Sequence, residues 1–216
     1  TCCEIKKRTL IVKFIAHTIS AIFQPLIMPS LVFFVVLFHI DNSTNITVDG
    51  QWTILSLVFL TTCLIPVCTI LMFRFTKVIK DLQMTSRKDR LLPFAFISIF
   101  YVLVTFLFHR QLPLNNLLSA TLISMTLVVV LTNLITFFWK ISAHSAGISG
   151  LVGFCLVFSM KFVGSNSLFF PLLAALLLMG VIMWARLYLN AHKPSEIIAG
   201  AVLGFVICYG TIYLFV

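Results

Sequence analysis

Seven apolar blocks run along the chain at about residues 11–39, 52–73, 91–108, 115–138, 146–163, 168–189 and 195–215. A helix rising about 1.5 Å per residue crosses the hydrocarbon core of a bilayer in about 20 residues, so nearly every block is long enough to span. Residues of the AVILMFWYC set make up 61% of the chain and charged residues only 10%, a balance foreign to soluble globular domains. The expected fold is all-α: a polytopic transmembrane helical bundle of six or seven helices. Residues 1–216 then form a single integral membrane domain, with no separate soluble catalytic domain. The helix count turns on the first block, where Pro25 and Pro29 interrupt the run. Residues 11–23 can therefore lie along the membrane surface before a shorter span begins. A membrane β-barrel does not fit, because the blocks lack alternating segments of about ten residues.

The connections between blocks alternate between two faces. One carries the N-terminus with Lys6, Lys7, Arg8 and Lys13, the segment from Arg74 to Arg90, the junction from Lys140 to His144, and the stretch from Arg186 to Glu196. The other carries residues 40–51, with Asp41 and Asp49, and turns near Arg110 and Lys161. Every Lys and Arg except Arg110 and Lys161 falls on the first face, which the positive-inside rule makes cytoplasmic. For Lys6 to Lys13, Arg74 and Lys77, orientation and contact with anionic lipid are sufficient reasons. The expected location is a bacterial inner (cytoplasmic) membrane, and the expected partner is a membrane lipid, not a nucleic acid.

Cys2, Cys3, Cys63, Cys68, Cys155 and Cys208 show no CxxC pair and no His-linked ligand spacing, and four of them fall inside expected spans. The sequons at Asn42 and Asn45 matter only in a eukaryotic source. With only six acidic residues in the chain, a centre built from several carboxylates is not expected, and neither a metal nor another cofactor is implied. Gly147, Gly150 and Gly153 recur every third residue, and Gly200 and Gly204 form a GxxxG. Small residues at these spacings let helices approach closely, which would bring the two polar junctions before them together.

Those junctions gather the chemistry: Arg and Lys, two histidines at span ends, Glu196 and Ser142, a set suited to holding an anion and moving a proton. Pro194 fits the first turn of the last helix, which puts Glu196 where the acid of a capping box faces back toward the preceding loop and His192. A carboxylate bonded to one ring nitrogen of a histidine makes the other a better nucleophile or base. Arg186 can present a planar fork to two phosphate oxygens. The stretch WKISAHSAG, residues 139–147, adds Ser142, His144 and the amides of a helix start.

Arg186-x5-His192-x3-Glu196 is similar to the third motif of the type 2 phosphatidic acid phosphatase superfamily, SR-x5-H-x3-D, and Ser142-Ala143-His144 resembles its second motif, PSGH. In that family the third-motif histidine attacks phosphorus to form a phosphohistidine, the acid orients it, the second-motif histidine protonates the leaving oxygen, and no metal takes part. The resemblance covers residues 80–205. It implies His192 as nucleophile, Glu196 as its orienting acid, His144 as general acid, and Arg186 and Ser142 as phosphate ligands. The first motif, K-x6-RP, is matched loosely. Residues 86–93, SRKDRLLP, supply Arg87, Lys88 and Arg90 with Pro93 displaced, whereas Lys80-x6-Arg87 keeps the spacing but is followed by Lys88. Arg87 and Arg90 thereby join the expected phosphate ligands. Ala185, Ile141, Ala143 and Glu196 depart from the family pattern, and two spans separate the first motif from the second. Two crossings return the chain to the same face. The family commonly acts outside the cytoplasm, whereas the charge distribution points this site inward.

The implied function is a metal-independent phosphatase acting on a lipid phosphate or diphosphate. Two other readings use the same residues. Gly147-Ile148-Ser149-Gly150 matches the GxSG of rhomboid intramembrane proteases, with Ser149 and His192 as a conceivable dyad. A non-catalytic head-group binder or transporter would keep the basic pocket without turnover.

Overall fold

The computed structural model describes residues 2–40, 46–79, 87–112, 114–161 and 168–215, and of residues 2–8 and 87–89 the backbone alone. Among the described residues every regular element is helical. In chain order these are α1 (Cys2–Ile22), a 3₁₀ turn (Pro25–Ile27), α2 (Met28–His39), α3 (Val48–Phe59), a π-helical turn (Leu60–Leu64), α4 (Ile65–Phe75), α5 (Arg87–Gln111), α6 (Asn116–Phe138), α7 (Ala143–Lys161), α8 (Phe169–Tyr188) and α9 (Pro194–Phe215). Among the described residues, seven helical stretches are long and apolar enough to cross a membrane: Thr9–His39, Val48–Phe75, Arg90–Gln111, Asn116–Phe138, Ala143–Lys161, Phe169–Tyr188 and Pro194–Phe215. The protein is therefore an all-α bundle whose helices suit an integral membrane protein, with seven candidate spans where six or seven were expected.

Proline shapes the first two spans. Gln24 sits in an extended conformation (ψ 152°) ahead of Pro25, as the residue before a proline is driven out of the helical region. The run 9–39 is thus broken into α1 and α2. In the second span Pro66 has no N–H for the Thr62 carbonyl four residues earlier. The Tyr101 hydroxyl of α5 donates to that carbonyl at 2.8 Å, so an acceptor buried in apolar surroundings is satisfied from a neighbouring helix.

The centre of the bundle is α7, where 72% of the most apolar stretch is buried, against 50% or less in every other candidate span. Helix α9 lies along it. A Cβ at Gly200 would stand 2.5 Å from the Ser142 carbonyl oxygen, and one at Gly204 would run into the Ala146 carbonyl. Across the same seam Gly150 faces the Cys208 sulfur and Gly153 the Phe205 backbone. Gly147 instead receives the Met28 side chain at the start of α2. At the polar end of the seam the Ser142 N–H donates to the Glu196 carbonyl at 3.2 Å, tying the two junctions together. Around this pair, α6 packs on α9 and α5, α8 on α7, α1 on α8, and α2 on α3 and α7. Phe75, Phe138 and Leu214 are exposed on the outside, as suits side chains whose solvent is lipid.

Because the seam is backbone against backbone, added volume at its centre has nowhere to go. Gly204→Ala is expected to destabilise the protein by about 1–3 kcal/mol. Gly210→Ala, where nothing lies within 4 Å of an added Cβ, is expected to leave stability unchanged or to raise it by up to about 1 kcal/mol through helix propensity. Thermal unfolding of the two variants in detergent checks the contrast.

Candidate functional site

Two local devices fold the stretch between α8 and α9. The first is a Schellman motif at the end of α8, in which the Ala191 N–H donates to the Arg186 carbonyl at 3.1 Å and the Asn190 N–H to the Leu187 carbonyl at 2.9 Å. Asn190 takes the left-handed conformation this motif requires (φ 50°), which asparagine tolerates better than most side chains. The second is a capping interaction on α9. Pro194 opens the helix, and the Glu196 carboxylate reaches back to accept from the Lys193 N–H at 3.3 Å. The same carboxylate oxygen stands 2.7 Å from His192 Nδ1.

The partners of His192 fix its protonation. Its Nε2 is 3.3 Å from Nη1 of Arg90, and a guanidinium can only donate. Nε2 therefore holds the lone pair, and Nδ1 carries the proton that goes to Glu196. Burial, together with the positive charges of Arg90, Arg186 and Lys140, holds the imidazole far below its usual value and hence neutral. Lys140 is also pushed below the usual lysine range, first by burial and then by Arg90.

His144 is oriented from the opposite side. Its Nε2 lies 3.1 Å from the Ser20 carbonyl oxygen of α1. A carbonyl can only accept, so this nitrogen is protonated. The Ser20 hydroxyl is 3.4 Å from the same nitrogen and accepts from Arg186 Nη1 at 2.7 Å.

These groups share one cavity of about 650 Å³. His17, Ser20, Gln24, Arg90, Lys140, His144, Arg186 and His192 line its polar part, while Leu26, Val67, Ile70, Phe94, Val128 and Val129 belong to its apolar walls. Thr132 also faces the cavity, with its buried hydroxyl unpartnered. Among the described residues no three His, Cys, Asp or Glu side chains converge as metal ligands.

Of the residues singled out in the sequence, Arg90, His144, Arg186 and His192 line this cavity, and Glu196 is buried behind His192. Ser142 is not among the lining residues. It is fully buried, and its hydroxyl accepts from the Ser145 N–H at 3.4 Å and the Ser145 hydroxyl at 3.0 Å. This makes it a cap on α7 rather than a wall of the cavity. Arg87 opens α5, but its side chain, that of Lys88, and Lys80 lie outside the described residues, and so does the register of the first motif. Ser149 donates to the Ala146 carbonyl at 3.2 Å in the α7–α9 seam and does not line the cavity, so the Ser149–His192 dyad is not assembled. The site also draws on α1, beyond the 80–205 range of the family resemblance. A polar stripe announces this: His17, Ser20 and Gln24 recur at i, i+3 and i+7 in an otherwise apolar run.

Comparison with family models, with curated proteins and with solved structures finds no match to this chain.

A buried neutral His192 carries a stability signature. In the unfolded chain the imidazole titrates near its ordinary value of about 6.5, so below that pH the unfolded state binds a proton that the native state does not. The contribution is complete above about pH 6.5 and is lost as the pH falls, with a slope approaching about 1.4 kcal/mol per pH unit. Denaturant unfolding in detergent between about pH 7.5 and about pH 5 should show a slope at least this large, and His192→Asn should lower it by up to about 1.4 kcal/mol per pH unit.

Proposed function

We propose that this chain is a membrane-embedded phosphatase that hydrolyses a lipid phosphate or lipid diphosphate through a phosphohistidine on His192, as in the type 2 phosphatidic acid phosphatases that its motifs resemble. The observation that carries the reading is the tautomer of His192: Nδ1–H held by Glu196 at 2.7 Å and a lone pair on Nε2 beside the guanidinium of Arg90. A structural histidine has no need of a carboxylate on one nitrogen and a cation facing the other. A nucleophile that attacks an anion needs both.

In this mechanism the phosphoryl group enters among Arg90, Lys140 and Arg186, and Arg90 exchanges its contact with Nε2 for a phosphoryl oxygen. Negative charge bound beside His144 favours its doubly protonated form. Nε2 of His192 attacks phosphorus, the bond from phosphorus to the lipid oxygen breaks, and His144 gives a proton to that oxygen. Glu196 stays on Nδ1–H and offsets the positive charge of the phosphorylated ring. A water molecule then attacks phosphorus and gives a proton to His144. The P–N bond breaks, and inorganic phosphate leaves with both histidines restored. The lipid tail runs along the apolar walls formed by Leu26, Val67, Ile70, Phe94, Val128 and Val129. By the charge distribution of its loops, the site faces the cytoplasm.

Phosphate release from a panel of lipid phosphates by the purified protein in detergent, with EDTA present, tests the proposal. His192→Ala is expected to abolish release, because the two-step route has no other nucleophile. His144→Ala is expected to slow the first step by about 10²- to 10⁴-fold. Full activity in His192→Ala would exclude the phosphohistidine, and activity lost to EDTA in the wild type would exclude the metal-independent route.

A further inference from the structure

We propose that Ser20 of α1 is a ligand of the bound phosphoryl group, so that the first helix supplies one wall of the anion site. The inference rests on the phosphatase reading for the identity of the anion, but its geometry is separate from that of His192. Ser20 is 8% exposed and lines the cavity. Its hydroxyl oxygen accepts from Arg186 Nη1 at 2.7 Å, which leaves the hydroxyl proton as a donor. Arg186, 9% exposed, has its Nε buried without a hydrogen-bond partner. A buried guanidinium that gives one of its donors to a neutral hydroxyl and leaves another unused is poorly satisfied as it stands.

An anion with several oxygens completes this arrangement. One phosphoryl oxygen accepts from the Arg186 guanidinium, which lines the cavity, and a second from the Ser20 hydroxyl, while that hydroxyl goes on accepting from Nη1. The Ser20 carbonyl holds the neighbouring His144 through Nε2–H, so the same residue orients the ring of the proposed general acid. Ser142, the serine that the motif resemblance assigns to phosphate, is fully buried and is not among the residues that line the cavity. Ser20 thus provides from α1 a hydroxyl to the phosphoryl group that the α7 junction does not present to the cavity.

The test is binding of inorganic phosphate, measured by titration calorimetry on the full chain in detergent with EDTA, independently of any turnover. A hydrogen bond to a charged group contributes about 1.5–3 kcal/mol, so Ser20→Ala should weaken phosphate binding by about 10- to 100-fold. Ser20→Thr, which keeps a hydroxyl, should bind more tightly than its isostere Ser20→Val, and this pair separates the hydroxyl from any effect of volume. If the wild type binds phosphate and Ser20→Ala binds it equally well, the role of Ser20 is overturned while the anion site stands. If the wild type binds no phosphate, the phosphatase reading and this inference fall together.

Discussion

Gly200 and Gly204 let α9 lie directly against the backbone of α7, and the position of the whole polar site depends on that approach. In a membrane there is little hydrophobic gain in pressing one helix on another, so close packing and backbone contact must hold the pair. Here they also set the function-bearing ends in register. The Ser142 N–H reaches the Glu196 carbonyl across the seam, so the junction carrying His144 and the turn carrying His192 are fixed to one another before any side chain is considered. A larger residue at Gly204 would push apart the two loops that carry the histidines of the proposed mechanism.

Positive charge is the second constraint. Arg90, Lys140 and Arg186 converge on a cavity where, among the described residues, Glu196 is the acid that faces them through His192. Such a concentration of cations in a poorly solvated place is costly unless an anion offsets it. The same charge keeps His192 neutral, so in the proposed mechanism the feature that attracts a phosphate also preserves the lone pair that attacks it. Glu196 reconciles the two demands, because it is one acid with two local tasks: it caps α9 at the Lys193 N–H and holds the His192 proton.

The legibility of this architecture in the sequence follows the range of the interactions. The spans could be read because hydropathy and length are local properties, and the break at Pro25 because proline acts on its immediate neighbours. The His192–Glu196 pair was readable for the same reason, since four residues and a proline at the first helical position fix its geometry. Ser142 went the other way: its place beside His144 pointed to a phosphate contact, but it is fully buried as the cap of α7 and does not line the cavity. Tyr101 satisfying Thr62, and Ser20 meeting both Arg186 and His144, join parts of the chain that no local pattern relates. The stripe of His17, Ser20 and Gln24 marked a polar face on α1 but did not say what that face would meet.

The central claim is that Nε2 of His192 forms a covalent bond to phosphorus. The most direct measurement is mass spectrometry of the protein quenched in alkali shortly after mixing with a lipid phosphate, conditions under which a phosphohistidine survives. The account predicts a phosphoryl group on the peptide containing His192, present in the wild type and absent from His192→Ala. Turnover of the lipid with no phosphorylated histidine, or with the phosphoryl group on another residue, would contradict it.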